Sequence, residues 1–411
     1  VLIVMIIPCL VRLASGKAGR IRTVDIALLL FSFWAALSFT VVDSLQVGLE
    51  SGGVLFLETM GAYLIARCYI RDAQDFYNAV KVLVAAVIFL LPFAVLEVVT
   101  GRDIILELFS KILPSHPIMD KDPRWGLRRV QAIFEHPILM GVSCGSVLVL
   151  AHYVLGYGET PIRRWRTSLS VALAAGLSLS SGPLAALAVE TLLMLWNWGL
   201  GRVKFRWKLL IALMAVAVVM IELFAKRPLP NILFSAFAFE ANSAFFRILI
   251  WDFGTLSALN HPWFGVGHGE WDRPAWMASS IDMFWLYNAV VYGIPAAVLM
   301  LLAFFAVFIP VGLLKNLDDR LYQYRAAFLI SLTSLFLMGW MVHFWNATFV
   351  LFVFLLGSGV WFLDIGKTPN TDGAAASARL RRKQAAPAPR DSRPGRRASA
   401  DRTLAQVKTD Q

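Results

Sequence analysis

The sequence predicts an all-α, polytopic transmembrane protein, and three observations carry that prediction. Of its 411 residues, 58% are hydrophobic and only 16% are charged. The apolar residues gather into runs close to the about 20 residues that a helix needs to cross a bilayer. The Lys and Arg between those runs fall on one side when the runs are threaded in order, as the positive-inside rule requires.

Eight runs read individually as spans: 24–42, 52–69, 76–99, 137–154, 207–224, 283–314, 326–342 and 347–363. Residues 1–11 look like half a span, and the chain opens on Val1, so a first helix is expected to be missing. The run 168–198 is too long for one crossing and too short for two ordinary ones, and Ser180, Ser181, Gly182 and Pro183 interrupt it. Two short helices meeting at that break are expected. Only they bring the basic groups at 12–22, 67–71, 163–166, 202–208 and 315–325 to one side.

About eleven visible spans follow, twelve with the missing helix, with large periplasmic loops at 100–136 and 225–282. The transmembrane domain is then 1–363. Residues 364–411 turn abruptly to Ala, Pro, Arg, Ser and Asp, with 11 Lys or Arg against 5 Asp. Such a composition predicts a disordered, basic cytoplasmic tail whose partner is anionic membrane lipid, with no role for nucleic acid. Cys9, Cys68 and Cys144 lie in or beside spans, spaced neither as a disulfide framework nor as a metal site, and are expected to pack.

Polar groups inside or beside spans mark candidate chemistry. Glu58 lies within the span 52–69, where a carboxylate must face a polar interior or a partner; it either fixes helix packing or serves a site. Glu97 closes its span, and an interfacial, structural role is expected. The first outer loop ends with Arg124, Arg128, Arg129, Glu135 and His136. Clustered guanidiniums at a membrane mouth suit a phosphate group. Headgroup binding is the plainer role, but it explains three arginines within six residues less well.

The second loop holds the stretch 247–271, too polar to span a bilayer yet set between long apolar runs. Arg247 and Trp251, four apart, share one face of a helix that runs to His261, where Pro262 and Gly265, Gly267 and Gly269 turn the chain. His268 and Glu270 follow. Asp282 stands where the chain re-enters the membrane, and partial desolvation there would raise its pKa toward values suited to a general base. Helix capping is its plainer role. His343 with Asn346 marks a short outer turn and is expected at the membrane interface, and His116 and His152 have no convergent partners; none of these is assigned a role.

The chain has no Gly-rich phosphate loop followed by Lys and no His-Glu-x-x-His. An ATP-driven pump and a metal-dependent nucleotide-sugar transferase are disfavoured, and no metal or other cofactor is expected. A substrate that reaches the outer face already activated would be a polyprenyl diphosphate.

Three blocks together resemble the O-antigen ligase and polymerase superfamily, and within it the bacterial exopolysaccharide polymerases. The first runs from Arg129 through Phe134 to His136 and Pro137. The second is Arg247, Trp251, His261, Pro262, Gly265 and Gly267, similar to Arg-x-x-x-Trp followed by His-Pro-x-x-Gly-x-Gly. The third runs from Asp282 through Leu286 to Gly293 and Pro295. Weaker similarity extends to Glu58 through Arg67 and to Ser181, Gly182 and Pro183.

The resemblance implies a metal-independent glycosyltransferase of the bacterial inner membrane with its active site facing the periplasm. Its substrate would be an oligosaccharide on undecaprenyl diphosphate, and a chain-length regulator would be a further partner. Ligases of this superfamily carry His-Asn where this chain has Asp282 and Met283, so the departure favours the polymerase branch. Arg129 and Arg247 would clamp the diphosphate, and Asp282 would take the proton of the attacking hydroxyl. His261 is the alternative base or holds the turn with Pro262. Arg124, Arg128, Glu135, His136, His268 and Trp251 would bind substrate, and Trp125, Trp263 and Trp271 would stack on sugars or form an interfacial belt. Two competing readings remain: transfer to lipid A core or protein, and a lipid-linked oligosaccharide transporter. A transporter would set its charges along a midplane cavity and often show internal repeats, whereas these charges gather in outer loops.

Overall fold

The computed structural model describes residues 2–119, 122–237 and 240–365. The chain divides into two units, Val1–Asp364 and Ile365–Gln411, and the tail expected at 364–411 lies beyond Ile365 outside the described residues.

The helices are, in order, α1 (Leu2–Ala14), α2 (Thr23–Val42), α3 (Leu45–Phe56), a π-helical turn (Leu57–Gly61), α4 (Ala62–Tyr69), α5 (Ala73–Thr100), α6 (Ile104–Phe109), α7 (Pro137–Gly145) and α8 (Leu148–Leu150). A second π-helical turn (Ala151–Leu155) leads to α9 (Pro161–Gly176), α10 (Ser181–Gly199), α11 (Arg206–Phe224), α12 (Leu229–Ala236) and α13 (Ala241–Asn260). Then come α14 (Phe284–Tyr292), α15 (Ile294–Gly312), α16 (Asp319–Met338), α17 (Asn346–Ser358) and a final 3-10 turn (Val360–Asp364). Among the described residues there is no strand, only a single bridge between Arg124 and Leu127.

Among the described residues, seven helices are long and apolar enough to cross a membrane: Thr23–Val42, Ala73–Thr100, Pro137–Leu155, Arg206–Phe224, Ile294–Gly312, Asp319–Met338 and Asn346–Asp364. The other apolar runs form shorter, interrupted or more polar helices: α1, α3 with α4, α9 and α10. None of the apolar window of α11 is buried. A helix that shows apolar side chains all round has no stable place in water.

The run 168–198 is indeed two helices, α9 and α10, separated by residues 177–180, with Ser181, Gly182 and Pro183 in the first turn of α10. The run 283–314, expected as one span, is also two helices, α14 and α15, parted at Gly293. Gly293 has φ 88°, and a Cβ there would lie 2.0 Å from the Trp263 carbonyl oxygen. The chain end of α14 is held by the turn after His261. Val266 N–H donates to the Val290 carbonyl at 2.9 Å, Gly267 N–H to Val291 at 3.0 Å, and Ile294 N–H to Pro262 at 2.8 Å. The His-Pro-x-x-Gly-x-Gly stretch thus satisfies carbonyls that a broken helix would otherwise leave open.

Gly48 and Gly52 put the backbone of α3 against α2: a Cβ on Gly52 would sit 2.6 Å from that of Ala36. This is the small-xxx-small contact that lets membrane helices approach closely. Asp25, Tyr63 and Arg67 form a buried network behind it. Tyr63 donates to Asp25 Oδ1 at 2.5 Å, Arg67 Nε lies 3.3 Å from the same oxygen, and Arg67 also donates to the Arg20 and Ala18 carbonyls. Arg67, counted above among the cations of a loop, is instead fully buried. Arg206, counted likewise, is buried too, with Nε 3.0 Å from Asn197 Oδ1. Asp364 holds Arg22 at 2.5 Å and Arg71 at 2.8 Å, so this end of the bundle is closed by an ion-pair knot. Cys9, Cys68 and Cys144 are free and buried, and the Cys68 thiol donates to the Cys9 carbonyl.

Candidate functional site

The opposite ends of these helices carry the loops. Glu97 is not at an interface but buried, accepting the Gln131 and Ala132 N–H groups at 3.0 Å each. It pins the first loop, and Val130 N–H donates to Leu177 at 3.2 Å. Residues 124–130 are thereby laid on the break between α9 and α10. Arg124 Nη1 donates to the Leu179 carbonyl at 2.9 Å and pairs with Glu240 at 3.0 Å; Arg129 Nη2 donates to Ser180 Oγ at 2.9 Å. Leu179 holds φ 44°, so the break is a tight feature rather than a frayed end. Arg129 Nε and Ser178 Oγ are buried without hydrogen-bond partners among the described residues.

From α13, Arg247 reaches the same region. It is buried, with Nε 3.3 Å from the Met341 carbonyl and Nη1 3.2 Å and 2.6 Å from Ser243 O and Oγ. Burial holds its pKa below the usual arginine value, with the Asp282 carboxylate opposing that shift and Arg124 adding to it. Burial also lowers Arg129, and Arg124 again contributes. Arg124 is therefore the common neighbour of the other two guanidiniums. Asp282 is exposed, so the desolvation expected for it is not found. Nor does it cap α14, whose N-cap is Met283 with no side-chain bond.

The remaining candidates sort elsewhere. Arg128 lies against Gly101, 3.3 Å from where a Cβ would stand. His136 caps α7 by accepting the Ile138 N–H at 3.1 Å. His261 Nε2 is 3.9 Å from Asp272, and its carbonyl accepts the Gly265 N–H, which fits the turn-holding alternative. Trp251 packs with Trp340 and Phe234 around an apolar cavity of about 210 Å³ that Met341 also lines. Trp271 is buried and bonded to the Ser279 carbonyl, so it cannot stack on a sugar, whereas Trp125 and Trp263 are exposed.

Glu135 and His268 belong to a second place. A cleft of about 430 Å³ lies among α2, α3, the first π-helical turn, α14 and the turn before α17. Glu50 and Glu58 line it with His268 and His343, the latter packed at a tilt against Tyr287 at 3.9 Å between ring centroids. Asn346, also lining it, donates to Glu135 Oε1 at 2.8 Å, and that oxygen lies 3.2 Å from His116 Nε2. His268 is paired with Asp43 at 3.7 Å. Sequence reasoning missed Glu50, His343, Trp345 and Asn346. A signal existed for the first: Glu50 and Glu58 stand about two helical turns apart. Among the described residues, no group of three or more His, Cys, Asp or Glu could hold a metal ion.

Burial pushes the His343 imidazole down to about 3, and its Nδ1 has no hydrogen-bond partner among the described residues. Unfolded, a histidine titrates near about 6.5. Below that pH the unfolded chain binds a proton that the folded chain refuses, so stability falls as pH drops toward 3. The unfolding temperature in detergent should decrease from pH 7 to pH 5, and His343→Gln should flatten that slope. An unchanged slope would place the imidazole in a solvated setting.

Fold and apolar helices put the chain among helical membrane proteins. No family model, curated protein or solved structure matches it.

Proposed function

We propose that this protein is a polysaccharide polymerase of the bacterial inner membrane, moving glycan from undecaprenyl diphosphate to a sugar hydroxyl of another lipid-linked unit. One observation carries the reading: Arg124 and Arg129 from one loop segment bond to the 177–180 break, Arg247 from the other lies within electrostatic reach of Arg124, and buried donors are left unpaired on Arg129 and Ser178 among the described residues. Unsatisfied buried donors are costly, and a diphosphate would satisfy them. The apolar cavity beside Arg247, formed by Trp251, Trp340 and Met341, suits the first isoprene units of the lipid. The positive-inside rule supports eleven crossings with the arginine site on the periplasmic side.

In the reaction, the acceptor oxygen attacks the anomeric carbon as the carbon–oxygen bond to the diphosphate breaks. The arginines stabilise charge on the leaving lipid diphosphate. Asp282, within the field of Arg247, takes the proton from the acceptor hydroxyl.

Purified protein given a diphosphate-linked oligosaccharide, with products sized on a gel, tests this. A ladder is expected. A single addition to lipid A core or protein would make the enzyme a ligase, and no product with vectorial movement of the lipid would make it a transporter.

A further inference from the structure

The cleft that holds Glu50, Glu58 and His343 is not needed to bind a diphosphate, and its lining points to another ligand. Its volume of about 430 Å³ falls in the range of about 300–1,000 Å³ typical of small-molecule sites. Ionised carboxylates only accept hydrogen bonds, and sugar hydroxyls donate them. Tyr287 and Trp345, neither of them fully buried, supply ring faces for the C–H side of a pyranose. His343 packed on Tyr287, with ring centroids 3.9 Å apart, holds the first of those rings in a fixed position.

Among the described residues, no Lys or Arg lines the cleft. An acidic ligand would therefore lack a counter-charge and meet Glu50 and Glu58, with Glu135 near enough to Glu58 for the two carboxylates to repel. The arginine site and the cleft share their supports. Met341, whose carbonyl holds Arg247, is two residues before His343, and Asp282 is five before Tyr287. A sugar in the cleft lies on the same two chain segments that flank the arginines.

We propose that this cleft binds the acceptor saccharide, and that its two carboxylates, with no cation beside them, select neutral or amine-bearing sugars against acidic ones. The acceptor role rests on the transfer reaction proposed above; the binding and its charge selectivity do not. The test uses the full chain in detergent, without lipid diphosphate, on a printed array of bacterial glycans spanning neutral, amine-bearing and uronate- or pyruvate-bearing classes. Retained glycans should be neutral or amine-bearing, and Trp345→Ala should lose them. Glu58→Gln should weaken the amine-bearing ones by on the order of tenfold, as for one lost charge-assisted hydrogen bond. Glu50→Lys, at an exposed position, should admit acidic glycans, with monodisperse elution of each variant as the check on folding.

Retention of acidic glycans by the wild type, no retention of neutral or amine-bearing ones, or indifference to all three substitutions overturns the proposal. Binding of undecaprenyl diphosphate by the same preparations separates the two readings. Intact lipid binding with failed glycan binding removes the cleft alone; selective glycan binding without lipid binding removes the transfer reaction alone.

Discussion

Arg247→Lys and Arg129→Lys each insert and fold but lose polymer synthesis by on the order of a hundredfold or more, the usual cost of removing one donor to a developing anion. A planar guanidinium holds two phosphate oxygens at once, and an ammonium offers a point charge. At Arg247 three N–H groups are already committed to Ser243 and Met341, so a lysine cannot both keep those bonds and reach a phosphate. If the contact strengthens as the leaving group gains charge, the loss appears in turnover and much less in apparent affinity for the lipid. Initial rates over a range of lipid concentration in proteoliposomes measure both. Near-normal synthesis by both variants would reduce these arginines to anchors and remove the case for an active site there.

Arg67→Met destabilises the fold by about 3–5 kcal/mol, because it leaves the Asp25 carboxylate buried without its cation. Asp25 keeps only the Tyr63 hydroxyl and a backbone N–H from Arg22. Unfolding in mixed micelles with a denaturing detergent gives the number, and adding Asp25→Asn to Arg67→Met should recover part of it. A loss of about 1 kcal/mol or less, the value of an exposed pair, would contradict the burial of this network.

The sequence made local features legible and left tertiary ones hidden. The break just before Ser181 to Pro183 and the turn after His261 were readable because Gly and Pro act on their own backbone. The shared face of Arg247 and Trp251 was readable because helical periodicity is local. The meeting of Arg124 and Arg129 with Leu179 and Ser180 was not, since some fifty residues separate them and apolar spans carry little information about which neighbours they choose. Arg67 was misread for the same reason: a basic residue near a span end resembles a loop cation until its acid partner on another helix is known. The cleft needed Glu50 and Glu58 to face His343 and Asn346, nearly three hundred positions away. The polymerase chemistry itself rests on a resemblance and on the grouping of arginines.

The π-helical turn at Leu57–Gly61 lets one continuous helical segment answer to two different neighbours. Each residue of an α-helix advances about 100° around its axis, and a π turn accommodates an extra residue without ending the helix. Before it, Gly48 and Gly52 face α2; after it, Gly357 of α17 approaches so closely that a Cβ there would lie 2.7 Å from the Tyr63 carbonyl. Glu58 sits at the changeover. Deleting a single residue from this turn would rephase everything downstream, withdrawing Arg67 from Asp25 while leaving the glycine contact upstream intact. The segment thus works as an angular offset between two independently phased halves, and it ties the direction of Glu58 to the register of the whole helix.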